Sequence, residues 1–162
     1  MKWIKRGLIY VANGAYGWAK THAMIPTPEI TGGGVIRFYL TSCDGDGIGR
    51  IGYVDLDSHD PARVVEVSRE PLLDIGVPGT FDENGVLCCS VVRLPDGRKF
   101  LYYAGFELGH KIRYRLLTGL AVSHDNGKSF QRIRKTPVLE RSDGELYFRG
   151  GPFVLLENDV FR

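Results

Sequence analysis

The sequence predicts an all-β protein built of repeated four-stranded units, and three observations carry that prediction. Short β-rich runs are separated by glycine, proline and Asp/Asn turns, and 21 glycines fall mostly between them. No stretch of helical length carries an apolar stripe at helical spacing. The chain also repeats itself with a period of about 65 residues, which marks a supersecondary unit that buries its faces only by stacking on copies of itself.

The β-rich runs are Val35 to Thr41, Arg50 to Leu56, Val64 to Val67, Val86 to Leu94, Lys99 to Phe106, Leu116 to Val122 and Phe130 to Ile133. In the run from Lys99 to Phe106, Phe100 and Tyr102 alternate with Leu101 and Tyr103, as in a strand buried on both faces.

Three elements define the repeat. Ile36-Arg37-Phe38-Tyr39-Leu40 returns as Phe100-Leu101-Tyr102-Tyr103-Ala104. Ser58-His59-Asp60 returns as Ser123-His124-Asp125, and Pro71-Leu72-Leu73 as Pro137-Val138-Leu139. Four strands per repeat in up-and-down order are propeller blades, and a period longer than the roughly 40 to 50 residues of common interaction propellers leaves room for long functional loops. Blade one is expected over about 22–74, blade two over about 82–141, and blade three begins near Phe148, all within one partial domain, 1–162. In blade three, Phe153 to Leu156 reads as an innermost strand, Glu157-Asn158-Asp159 as a hairpin turn and Val160 to Arg162 as the start of a second strand. A chain ending inside a strand leaves unpaired backbone groups and an uncovered apolar face, so a fragment or half of an assembly is expected.

Composition removes several function classes. With 43% hydrophobic and 25% charged residues the chain is globular in type rather than disordered. A net charge of +2 from 21 basic and 19 acidic residues, with no long basic block, disfavours nucleic acid as a partner. Gly7 to Ala12 is too short for a secretory core and nothing approaches a membrane span. Cys43, Cys88 and Cys89 are odd in number, and the adjacent pair points to opposite faces of a strand; reduced thiols in a cytoplasmic protein are expected rather than disulfides. No His or second Cys pair stands at metal-ligand spacing.

The sequence resembles the five-bladed propellers of the glycoside hydrolase family 43 and family 130 type. The matching stretches are Thr21-His22-Ala23 with Pro26, Ile48 to Asp57, Gly79 to Val86, Gly119 to Phe130 and Phe148 to Val154. The most specific is the turn Ala121-x-Ser123-x-Asp125-x-Gly127-x-x-Phe130. The match covers nearly the whole chain but about half of such a propeller. It implies a partial five-bladed propeller of about two and a half four-stranded antiparallel blades. It also implies a carbohydrate ligand, no cofactor and acid/base chemistry of the inverting glycosidase or phosphorylase kind. In propellers of this kind the site lies at the axial end of the channel, where innermost strands begin.

Candidate residues follow from that position. Asp82, before blade two's innermost strand, is the leading catalytic carboxylate; the alternative is that Asp82 and Asn84 cap a turn before Gly85. Glycosidic cleavage needs a protonated carboxyl for the leaving oxygen and an ionised one to activate water or phosphate, held apart on different elements. Glu145 and Asp44 are the available partners. Asp44 and Asp46 also suit a Gly-rich hairpin, and a calcium loop there would lack its remaining oxygen ligands. For substrate binding, His22 begins blade one's innermost strand, and Arg149 offers a planar fork for phosphate or a sugar carboxylate, or else an inter-blade ion pair. Arg37 is similarly placed on a second strand, and Trp18 is a flat platform for a sugar ring, ahead of Tyr16 and Trp3. His59 and His124 are expected to serve hairpin geometry. Ring closure, as a homodimer or with a complementing half, is the condition for such a site to form.

Overall fold

The computed structural model describes residues 2–5 and 7–162, and every regular element in it is a strand. Blade one is an antiparallel sheet in the order β1 (Thr21–Gly32), β2 (Val35–Cys43), β3 (Gly49–Asp57) and β4 (Val64–Val67). Blade two follows as β5 (Val86–Arg93), β6 (Lys99–Leu108), β7 (Tyr114–Ser123) and β8 (Gln131–Arg132). A two-stranded hairpin, β10 (Leu156–Glu157) with β11 (Val160–Phe161), opens a third unit.

Local chemistry sets the turns. Gly33 and Gly34 both take positive φ between β1 and β2, the geometry whose twist matches paired strands. Asn158 and Asp159 do the same between β10 and β11, as side chains that tolerate that region. The motif turn after β7 is held by its own polar groups. Ser123 Oγ donates to Asp125 Oδ1 at 2.7 Å, the amides of Lys128 and Ser129 donate to the same oxygen, and the Gly127 amide donates to Ser123 Oγ. Burial raises the Asp125 carboxyl, but the donors from Ser129 and Ser123 outweigh it and bring it down to about 2.

The period-two pattern divides blade one into two faces. Tyr39 and Ile51 face blade two and join Leu72, Leu73, Phe81, Val86, Cys88, Leu101, Tyr103, Leu117, Ala121 and Phe130 in the main core between the sheets. Leu40, Val54 and Leu56 face the other way and are covered by Tyr10 from the N-terminal segment. Phe130 packs its ring edge-on to Tyr39, 6.0 Å between centroids, while its amide donates to Leu72 O, so the motif turn of one blade is sewn onto the other.

Two details differ from the sequence expectation. Phe148–Arg149 (β9) does not start an innermost strand; it pairs in parallel with β7 at Leu116 and Leu117. The two-residue β8 reaches only Ala121 and Val122, so the backbone groups of β7 before them need other partners, and β9 and a bridge from Leu139 supply them. The chain then reaches the innermost strand of blade two at Val154, whose amide donates to Ser90 Oγ. The second detail is a bulge between Cys88 and Ser90, with Cys89 as the extra residue; Cys43, Cys88 and Cys89 are all free thiols.

Candidate functional site

The starts of β1, β3, β5 and β7 and the ends of β2 and β6 lie at one end of the two sheets, as the register pairs Cys43 with Gly49 and Leu108 with Tyr114. This end carries most of the polar residues singled out above.

β1 reaches it through two irregularities. His22 and Ile25 both sit in the left-handed region, at φ of 62° and 53°, and the register with β2 shifts on either side of Met24. Non-glycine residues hold such angles only where the surroundings impose them, and bulges re-aim side chains. The His22 ring is exposed, with Nδ1 2.9 Å from Thr21 Oγ1, and its carbonyl accepts from Ser42 Oγ.

Asp44 closes the β2–β3 loop. Its Oδ1 accepts from the amides of Asp46 and Ile48, and its Oδ2 pairs with Arg50 Nη1 at 2.6 Å. Burial raises the carboxyl, and these donors more than offset it, so Asp44 is ionised at neutral pH. Arg50 Nε continues to Asp74 Oδ1 at 2.7 Å. From blade two, Arg132 Nη2 donates to the Asp74 carbonyl and Arg132 Nε pairs with Asp82 Oδ2 at 2.6 Å. Two expected carboxylates, Asp44 and Asp82, are thus joined by three ion pairs and one hydrogen bond to a backbone carbonyl, through Arg50, Asp74 and Arg132. From sequence, these three connecting residues have no assigned role at the site, although Arg50 lies in the matching stretch Ile48 to Asp57 and Arg132 in a β-rich run.

Asp82 is fully buried. Tyr103 donates its hydroxyl to Asp82 Oδ2 at 2.9 Å, and burial followed by the Asp82 charge keeps that phenol protonated. Asp82 has no solvent contact in this arrangement. Its position is set by glycine: a Cβ on Gly105 would lie 2.5 Å from the Asp82 Cβ.

Glu145 belongs to a second cluster. It pairs with Arg149 Nε at 2.8 Å, and Arg149 Nη1 also donates to the Glu140 carbonyl. Arg149 therefore makes an ion pair within its own loop and lies on the added strand β9 rather than at the start of an innermost one.

Arg37 and Trp18 occupy different roles from those expected of substrate contacts. Arg37 lies six residues along β2 from Cys43, roughly 20 Å from the axial end by strand rise. It is buried, its Nε and Nη2 are spent on Asp55 at 2.8 Å each, and it lies 3.6 Å over the Tyr53 ring. The Trp18 ring packs against Gly52, where a Cβ would lie 2.2 Å from it, and its indole N–H donates to Arg69 O. Trp3 is 88% exposed.

A further polar network, unforeseen in the sequence, lies between the blades. Lys99, fully buried, donates to Glu29 Oε2 at 2.6 Å, Tyr39 Oη at 3.1 Å and Asn126 O at 2.9 Å, which uses all three ammonium protons. Arg93 holds the other oxygen of Glu29. Burial raises Glu29, and the donors from Lys99 and Tyr39 reverse it to a net lowering; burial also pulls Lys99 down against the Glu29 charge, but its complete set of acceptors keeps it an ammonium at neutral pH.

An apolar cleft of ≈ 270 Å³ is lined by Ile25, Leu87, Cys89, Leu116, Pro152 and Phe153. Among the described residues no three His, Cys, Asp or Glu side chains gather as metal ligands.

This architecture is a partial β-propeller, and solved glycoside hydrolase structures share its fold. The chain superposes on a thermostable family-43 glycoside hydrolase with a TM-score of 0.61 at 16% identity, covering 90% of this chain and 46% of that one. It superposes on a family-43 β-xylosidase/α-arabinofuranosidase from a compost microbial metagenome, in complex with xylotriose, with a TM-score of 0.57 at 19% identity, covering 90% and 49%. A glycosyl hydrolase from Bacteroides ovatus gives 0.58 at 16% identity, covering 79% and 35%. No protein-family profile matches the chain. In sequence it is 32% identical over 162 residues to uncharacterized proteins of two Mycobacterium tuberculosis strains. The chain spans about half the length of these curated relatives, 54%.

Proposed function

We propose that this chain supplies about two and a half blades of a carbohydrate-acting propeller whose site opens at the axial end, with acid/base cleavage of a glycosidic bond by water or phosphate. The observation that carries this reading is the junction of Asp44 from blade one with Asp82 beside blade two through Arg50, Asp74 and Arg132, on a glycoside hydrolase-like fold. Asp44, ionised and partly accessible, suits the water- or phosphate-activating role; Asp82 suits a carboxylate that sets the field around the reaction. Glu145 is the candidate acid, and the exposed His22 a ligand for a sugar hydroxyl. Three free thiols support a cytoplasmic setting. Completion of the ring, by a second copy or by a complementing half, is part of the proposal, because closure pre-organises the channel.

The burial of Asp82 favours a second reading, a carbohydrate-binding or structural propeller half without turnover. Size-exclusion chromatography with light scattering establishes the assembly, and a glycan and aryl-glycoside screen then compares wild type with Asp44→Asn and Asp82→Asn. Turnover lost in both variants supports the enzyme, equal activity in Asp82→Asn removes Asp82 from the mechanism, and glycan binding without turnover supports the second reading.

A further inference from the structure

Asp82 Oδ1 is a buried side-chain oxygen without any hydrogen-bond partner, while Oδ2 of the same carboxylate holds both Tyr103 and Arg132. Buried polar atoms are nearly always paired, and an orphan needs a reason. Loop 75–80 is what covers it. The point that a Cβ on Gly76 would occupy is 2.1 Å from both Asp82 Oδ1 and Thr80 Oγ1, so a bare glycine closes the gap. The Thr80 hydroxyl donates to Val77 O at 2.8 Å and leaves Oδ1 without a donor.

The loop is a short span between two buried anchors. Its ends are anchored by buried Leu73 and Phe81, while Val77 at its middle is 56% exposed. Its internal bond, from the Thr80 amide to Val77 O, travels with it. Attachment to the body runs through few bonds: Gly76 donates its amide to Asp82 O, Gly79 donates to Glu83 Oε2, the Glu83 amide donates to Thr80 O, and Asp74 holds Arg50 and Arg132.

We propose that loop 75–80 is a flap and that Asp82 Oδ1, uncovered when it lifts, is the acceptor for a hydroxyl of a bound sugar or other polyol. Arg132 already balances the charge of this carboxylate, so a neutral hydroxyl donor completes the site better than a second cation does. The class of ligand rests on the carbohydrate reading above; the flap does not.

Carbodiimide amidation of carboxyl groups, read by peptide mass spectrometry on the folded chain, tests both parts. Asp55, 6% exposed and gripped by Arg37, reports global unfolding. Asp82 is expected to react at least about tenfold faster than Asp55, through local opening. Gly76→Ala, whose added Cβ collides with Oδ1, raises the Asp82 rate further and leaves the ratio of Asp55 to a global unfolding probe unchanged. Should that variant not fold, Asp74→Asn releases a tether at a side chain that is 60% exposed, with the same expectation. Equal rates for Asp82 and Asp55, or no response to the loop variants, overturn the flap. Glycerol and D-xylose are expected to slow amidation of Asp82 alone; no slowing, with the rate ratio intact, overturns the acceptor role. Failure of the carbohydrate reading is seen separately, as absent turnover and glycan binding.

Discussion

Replacing Lys99 by Met keeps the length of the side chain and removes its charge from the interior between the blades. The ammonium serves three acceptors, so the change leaves Asn126 O without its donor and Glu29 Oε2 with only the Tyr39 hydroxyl. Breaking one partner out of a buried pair costs about 3–5 kcal/mol. Arg93 still holds Glu29 Oε1, which favours the lower end, about 3 kcal/mol. For a chain of this size that is a fall in Tm of roughly 6–12 °C. Thermal unfolding followed by circular dichroism at neutral pH measures it, and Glu29→Gln with the double variant completes a cycle in which the two losses are less than additive. The pH dependence has a definite sign. Glu29 is lowered in the fold, so its contribution is present above its ordinary carboxylate value and is lost as pH falls through the folded value; Glu29→Gln flattens that limb. A Lys99→Met variant within about 0.5 kcal/mol of wild type would refute the network as a source of stability.

Four other outcomes are expected. Gly127→Ala places a Cβ 2.3 Å from the Tyr39 hydroxyl at a φ of 83°, and loses about 2 kcal/mol or more in urea unfolding. Arg132→Met leaves Asp82 buried without its ion pair and lowers the urea midpoint by the equivalent of about 3 kcal/mol or more. Asp125 stabilises the motif turn above the ordinary aspartate range, and this is lost as pH falls toward 2; Asp125→Asn removes the dependence, with an effect below about 1 kcal/mol because the side chain is exposed. His22→Gly relieves a left-handed residue and raises stability by about 1 kcal/mol in thermal unfolding, while glycan affinity falls.

Much of the architecture was legible in the sequence. The alternation of Phe100, Tyr102 with Leu101, Tyr103 assigns β6 its two faces, because the period of a strand is two; Leu101 and Tyr103 are buried, whereas Phe100 and Tyr102 are only half-buried, short of the expected burial on both sides. The repeat of about 65 residues announced stacked sheets, since each unit lacks a core of its own. The Asn158-Asp159 turn was readable because few residues tolerate two successive positive φ angles. The resemblance places His22, Asp44 and Asp82 near the ends of strands, and β1, the β2–β3 loop and the segment before β5 carry them there.

Partnership was not legible. Arg37 looked like a residue free to hold a ligand, yet β2–β3 register sets it opposite Asp55, and packing of the second blade then closes water out. Arg149 looked like the start of an innermost strand, yet a short β8 leaves β7 with backbone groups that β9 satisfies. Asp82 looked accessible, and is sealed by Gly76 from one side and by Arg132, fifty residues away, from another. The sequence by itself determined which face of each strand is apolar and where the chain turns, because both depend on neighbours a few residues apart. Only the tertiary structure decided which charges meet, which of them lose water and which oxygen is left without a partner, because those depend on how two sheets pack.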